Sequence, residues 1–177
     1  VSMGLGDAPD MPVNTATEPN YPTFLFNAMI HPLVDYAIRG AIWYQGEANV
    51  ARAAQYRDLL PLMIHDWRQH WGYAFPFYIV QLPNYMKAQE GPEESEWAEL
   101  REAQKHALRL ENTGLAVCID VGDGDDLHPK NKPAVGRRLS LVARALTYGE
   151  QIPYSGPVYE GYRIEGNTIR IDFSHTD

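Results

Sequence analysis

The chain is 177 residues long, 45% hydrophobic and 21% charged, with a formal net charge of −8. This suits one globular domain with a real core, or one domain plus part of another, and excludes a disordered tail. The acidic balance, without a Lys/Arg cluster, excludes a nucleic-acid backbone as partner, and no apolar run is long enough to span a bilayer.

Residues 1 to 22 are rich in Pro, Gly, Asn and Thr and show no periodicity; the opening VSMGLGDAPDMPVN reads like the middle of a loop and contains no signal peptide. From Phe24 to Ile38 apolar residues recur at helical spacing, with Gly40 as the stop. AIWY (41 to 44) is wholly apolar, which predicts a strand buried on both faces. Residues 50 to 71 predict a long helix with Leu59, Leu62, Met63 and Trp67 on one side, kinked or interrupted at Pro61. PFYIVQL (76 to 82) is the next strand. Ser95 is placed to cap a helix running to about Leu110, with Glu96 and Glu99 in its first turn.

GLAVCID (114 to 120) predicts a third strand. It holds Cys118, the one cysteine, so an intrachain disulfide and a thiolate zinc cluster are excluded, and the residue reads as a small buried hydrophobe. A last helix begins near Pro133 and buries Val135, Leu139, Val142 and Leu146. Helices alternating with short apolar strands predict a parallel sheet covered on both faces. After Gly149 the pattern changes: YRIEGNTIRIDF alternates apolar and polar residues around an EGN turn, the signature of an antiparallel hairpin.

Ligands of open parallel sheets gather beyond the carboxyl ends of the strands, and two polar clusters fall there. YQGEAN (44 to 49) follows the first strand and DGDDLH (123 to 128) follows the third. If those strands are neighbours, Gln45, Glu47 and Asn49 meet Asp125, Asp126 and His128. Asn49 serves equally as a helix N-cap, and Gly46 as a tight turn. Gln45 and Glu47, set against a buried strand, need polar partners. His128, with carboxylates two and three residues before it, has the makings of a base whose tautomer a neighbour fixes. The three-residue spacing favours Asp125 as that neighbour, since a short turn brings it back to the imidazole Nδ1, while Asp126, two residues away, points to the opposite side in an extended segment. His65 and His70, five apart, do not form an i, i+4 zinc pair, and the Asp120, Asp123, Asp125, Asp126 cluster lacks the glycine and terminal glutamate of a calcium loop.

WYQGEAN, followed some eighty residues on by DDLHPKNK, resembles the sialate O-acetylesterase group of carbohydrate O-acetylesterases in the SGNH hydrolase superfamily. Ala48 replaces the usual serine of that block. PTFLFNAMIHPLVDYAIRGAIWYQGEAN resembles the run into it and VGRRLSLVARAL the last helix, so the likeness covers roughly residues 22 to 150. It implies a three-layer α/β/α, flavodoxin-like parallel sheet in which residues 1–150 are part of the catalytic domain, with 151–177 the start of a β-rich accessory unit. It also implies a serine esterase that removes acetyl groups from sugar hydroxyls, of the sialic acid or xylan type, without metal or organic cofactor, in the periplasm or secreted.

The resemblance makes His128 the base in a D-x-x-H block beginning at Asp125, although relatives reading Asn-Asp-Ile-His carry their acid at the position of Asp126. Gln45 is its best match for an oxyanion group, with Gly46, Glu47 and Asn49 beside it. The family's nucleophile lies in a GQSN-like block on an earlier strand, and none of Ser2, Ser95, Ser140, Ser155 or Ser174 has that context. The expectation is a sheet incomplete at its N-terminal side, inactive alone, with an apolar edge open to self-association or to cover by residues 1 to 22. The alternative is a degenerate hydrolase domain that binds acetylated glycans without cleaving them.

Overall fold

The computed structural model describes residues 23–87, 90, 91 and 93–176. The Pro- and Gly-rich opening lies outside the described residues. Strands β1 (Ala41–Trp43), β2 (Phe77–Val80) and β3 (Thr113–Ala116) form a parallel sheet in the order β1-β2-β3, with Ala41 opposite Phe77 and Phe77 opposite Thr113. Helices α1 (Ala53–Trp71) and α2 (Glu96–His106) cover one face, and α3 (Lys132–Leu146) covers the other. The α/β reading holds, and β2, buried along its whole length, is the centre of the core.

Period-two alternation sorts β2 between the layers. Phe77 and Ile79 pack with Tyr56, Leu60 and Ile64 of α1 and with Leu100 and Ala103 of α2. Val80 joins Ala116, Cys118, Val121 and Val135 on the α3 side. There Gly114 lets α3 approach, because a Cβ would sit 2.6 Å from Val142 Cγ1. The Tyr78 hydroxyl reaches Thr147 Oγ1 at 2.6 Å on the same face.

Several local expectations change. The segment from Phe24 does not run as one α-helix to Ile38: Phe26–Ile30 is a π-helical turn and His31–Leu33 a 3-10 turn, with Pro32 at its start. β1 is not buried on both faces. Trp43 packs against Trp67 and Phe77, but Ile42 is 69% exposed, because α3 lies over β2 and β3 and leaves β1 uncovered on that side. The other edge of β1 has no paired strand among the described residues.

In α1, Pro61 sits inside a continuous helix. The buried stripe is Ala53, Tyr56, Leu60, Pro61, Ile64 and Arg68, while Leu62 faces solvent. Ser95 does cap α2, accepting from the Ala98 N–H at 3.3 Å. In α3 Val135 and Val142 are buried, but Leu146 at the last turn is exposed. Strands β4 (Val158–Glu165) and β5 (Thr168–Ser174) form a separate antiparallel hairpin turning at Gly166, whose φ is +62°. No described helix is long and apolar enough to cross a membrane.

Candidate active site

The segments leaving the carboxyl ends of β1 and β3 carry the candidate residues. Gly46 turns the chain with φ of +150°, and a Cβ there would stand 3.1 Å from Leu100 Cδ2 and 3.4 Å from Gln104 Nε2, so glycine is required. A 3-10 helix, Glu47–Arg52, follows, closed by the Asn49 N–H on the Gly46 carbonyl at 2.8 Å. Asn49 therefore lies inside this helix and is not the cap of α1, which starts at Ala53.

Gln45 is turned into the fold. Its Nε2 donates to Asn49 Oδ1 at 2.8 Å, and its Oε1 accepts from the Tyr56 hydroxyl at 3.0 Å. Tyr56 in turn accepts from Trp43 Nε1 at 3.2 Å. Burial pushes the Tyr56 phenol up; the Trp43 bond opposes this, while the Glu47 charge adds to it. Gln104, fully buried on α2, ties the turn to the sheet: its Nε2 donates to the carbonyls of Gln45 (3.1 Å) and Val80 (3.3 Å), and its Oε1 accepts from the Leu82 N–H (2.9 Å). Gln45, the best match for an oxyanion group, thus donates to the side-chain oxygen of Asn49, the other candidate.

Tyr56 and Gln104 were missed in the sequence, yet both left a trace. Gln104 shares the stripe of Trp97 and Leu100, and Tyr56 that of Leu60 and Ile64. A polar group on an apolar stripe must find partners inside.

His128 stands on the segment between β3 and α3, its side chain 87% exposed. Asp126 Oδ1 accepts from the His128 backbone N–H at 2.8 Å and lies 3.8 Å from the imidazole Nδ1. Asp125 is exposed, its own N–H donates to Asp123 Oδ1 at 3.0 Å, and its carboxylate has no hydrogen bond among the described residues. The preference for Asp125 rests on a short turn that returns its carboxylate to the imidazole. The Asp126 N–H instead closes a turn on the Asp123 carbonyl at 3.4 Å, and an Asx turn brings the Asp126 carboxylate to the residue two positions on.

The two clusters share one end of the sheet without being neighbours, because β2 separates β1 from β3. Their segments meet at Tyr44, where Lys132 Nζ lies 4.7 Å from the ring centroid. The Tyr44 hydroxyl is buried without a hydrogen-bond partner among the described residues, and its pKa is raised by burial first, then by Cys118 and Glu47. Glu47 is half-buried beside this ring. Cys118 is buried as expected, and burial raises its thiol pKa. No group of three or more His, Cys, Asp or Glu among the described residues could hold a metal ion.

The described serines are occupied elsewhere. Ser95 caps α2, and the hydroxyls of Ser140, Ser155 and Ser174 bond to Arg137 O, Gly156 O and Glu160 Oε1.

Residues 16–144 match the family model described as carbohydrate esterase, sialic acid-specific acetylesterase. The chain belongs to this family. It is 36% identical over 166 residues to a sialate O-acetylesterase of Mus musculus, covering 84% of this chain and 31% of that protein. Against the Homo sapiens sialate O-acetylesterase identity is 34% over 168 residues, covering 85% and 32%. The crystal structure of a carbohydrate acetylesterase from Xanthomonas citri superposes with a TM-score of 0.82 at 44% identity, over 88% of this chain and 37% of that one. The chain thus spans about a third of the length of these relatives.

Proposed function

We propose that this chain is the base-bearing part of a carbohydrate O-acetylesterase, with residues 1–150 in the catalytic domain and 151–177 opening a β-rich unit. The observation that carries this is His128 at the carboxyl end of the sheet with Asp126 beside Nδ1, in a family of acetylesterases. The substrate is an O-acetylated sugar of the sialic acid or xylan type. The nucleophile is a serine supplied by another part of a longer protein, which works in the periplasm or outside the cell.

The chemistry is acyl transfer through a serine ester, without metal or organic cofactor. Asp126 holds the proton on Nδ1, which leaves Nε2 to accept the serine proton as Oγ attacks the acetyl carbonyl. The tetrahedral oxyanion takes a hydrogen bond from the Asn49 amide, which Gln45 holds by its Oδ1 so that its N–H groups stay free. Collapse expels the sugar oxygen, which takes the proton from His128. Water, deprotonated by His128, then releases acetate and restores the serine.

Acetate release from O-acetylated sialic acid by the longer protein tests the base assignment. His128→Ala is expected to lower kcat by about 10²–10⁴-fold without unfolding the protein. Unchanged turnover would refute it, and binding without turnover in the unaltered protein would favour a non-catalytic glycan module. Self-association of the isolated chain through the open β1 edge is expected in sedimentation, and Ile42→Lys should reduce it.

A further inference from the structure

We propose that Arg138 is a positioning residue for His128, acting through a clamp on the first residues of the segment that carries it. The inference rests on the reading of His128 as base. The segment leaves β3 at Val117 and ends where α3 begins, and Arg138 lies two turns into that helix. Its Nη1 donates to the Val117 carbonyl at 2.8 Å and also to Asp120 Oδ1, while Nη2 donates to Asp120 Oδ2 at 2.7 Å. One guanidinium therefore ties the strand exit and the fourth residue of the loop to the helix beyond the loop.

The clamp works with neighbouring contacts. The Asn84 N–H donates to the Ile119 carbonyl at 3.2 Å. A Cβ at Gly122 would lie 2.8 Å from Asn84 N and inside the Asn84 carbonyl, so the loop lies flat against the segment after β2. At the far end Asn131 caps α3 by accepting from the Ala134 N–H at 3.3 Å, and Pro129 is buried. Between these anchors, residues 123 to 128 carry the short Asp123 and Asp126 turns and Leu127 packs against the core, so the place of His128 is set from both ends of the segment, with residues 117 to 122 fixing the upstream one. The Asp120–Arg138 pair is partly exposed, so its value is geometric rather than a large share of stability. Three donor contacts from one planar group need arginine; a lysine ammonium cannot reproduce the fork.

The test compares Asp120→Asn and Arg138→Lys with the unaltered longer protein. The clamp predicts a kcat lower by about 10–10²-fold with KM changed less than about twofold, because a base displaced by about an ångström reacts poorly while sugar contacts persist. It also predicts faster amide hydrogen exchange at residues 121–128 and a changed His128 imidazole ¹⁵N tautomer signature, with α1 and α2 protection unaltered. Asp120→Glu, which keeps the ion pair, should recover part of kcat. If both variants keep full kcat while His128→Ala abolishes it, the clamp has no positioning role and the base assignment stands. If loop exchange is unchanged in Arg138→Lys, the clamp is likewise refuted. If His128→Ala itself remains active, the base assignment falls and takes with it the catalytic role given to Arg138.

Discussion

The turn after β1 and the loop after β3 present the two halves of the candidate site, and they are held by different forces. Around Gly46 the chain is locked by buried and part-buried neutral hydrogen bonds: Gln104 reaches both the turn after β1 and strand β2, and Asn49 and Tyr56 each bond one end of the Gln45 amide. Around His128 the polar restraints are a partly exposed ion pair, two Asx turns and the Asn84–Ile119 backbone bond, beside the packing of Leu127 and Pro129. Buried polar bonds are costly to break and rigid, whereas an exposed pair costs little to lose and fixes direction more than stability. A donor that must already be in place when charge develops suits the first kind of support. A base that moves a proton twice per turnover must reach serine, sugar oxygen and water, and suits the second.

The largest expected effect separates chemistry from stability in the loop. Asp126→Asn in the longer protein should lower kcat by about 10²–10⁴-fold with little change in melting temperature, if Asp126 fixes the imidazole tautomer as proposed. Asp125→Asn should leave kcat nearly unchanged. The reverse pattern would restore the three-residue spacing as the functional one.

The opposite signature is expected at the turn. Gln104→Ala removes the partner of the Leu82 N–H and the Gln104 donor to the Val80 and Gln45 carbonyls, the last of which keeps the Tyr56 hydroxyl, and leaves a cavity, at a cost of about 2–4 kcal/mol of unfolding free energy. Denaturant unfolding of this chain would read it; a loss under about 0.5 kcal/mol would show that the network does not hold the turn.

The smallest effect concerns pH. Arg138 holds the Asp120 carboxyl down, to a pKa of about 2. A depressed folded-state pKa stabilises above the unfolded carboxylate value, about 3.9, and that stabilisation is lost as pH falls towards 2. The small difference in melting temperature between Asp120→Asn and the unaltered chain should be present at pH 6 and mostly lost near pH 2. A difference undiminished at pH 2 would show that something other than the ion pair sets it.

The strands, the three long helices and the hairpin were legible because hydrophobic period and capping chemistry are local. Ser95, the β2 run and the alternation in YRIEGNTIRIDF each declare themselves within a few residues. The exposed side of Ile42 was not legible, since an apolar strand does not announce which neighbours cover it. Nor was the choice between Asp125 and Asp126, which depends on where in the segment the turn closes. Spacing alone gives reach, not direction. The inward turn of Gln45 was hidden for a similar reason: its partners, Tyr56 and Gln104, lie on helices 11 and 59 residues away.

The central claim is that these residues supply the base and the oxyanion turn while the nucleophile comes from elsewhere in a longer protein. Its most direct measurement is labelling of that protein with a serine-directed fluorophosphonate, followed by mass-spectrometric mapping of the modified residue. The label is expected on one serine outside these 177 residues, and to be lost in His128→Ala. A His128-dependent label on Ser95, Ser140, Ser155 or Ser174 would contradict it.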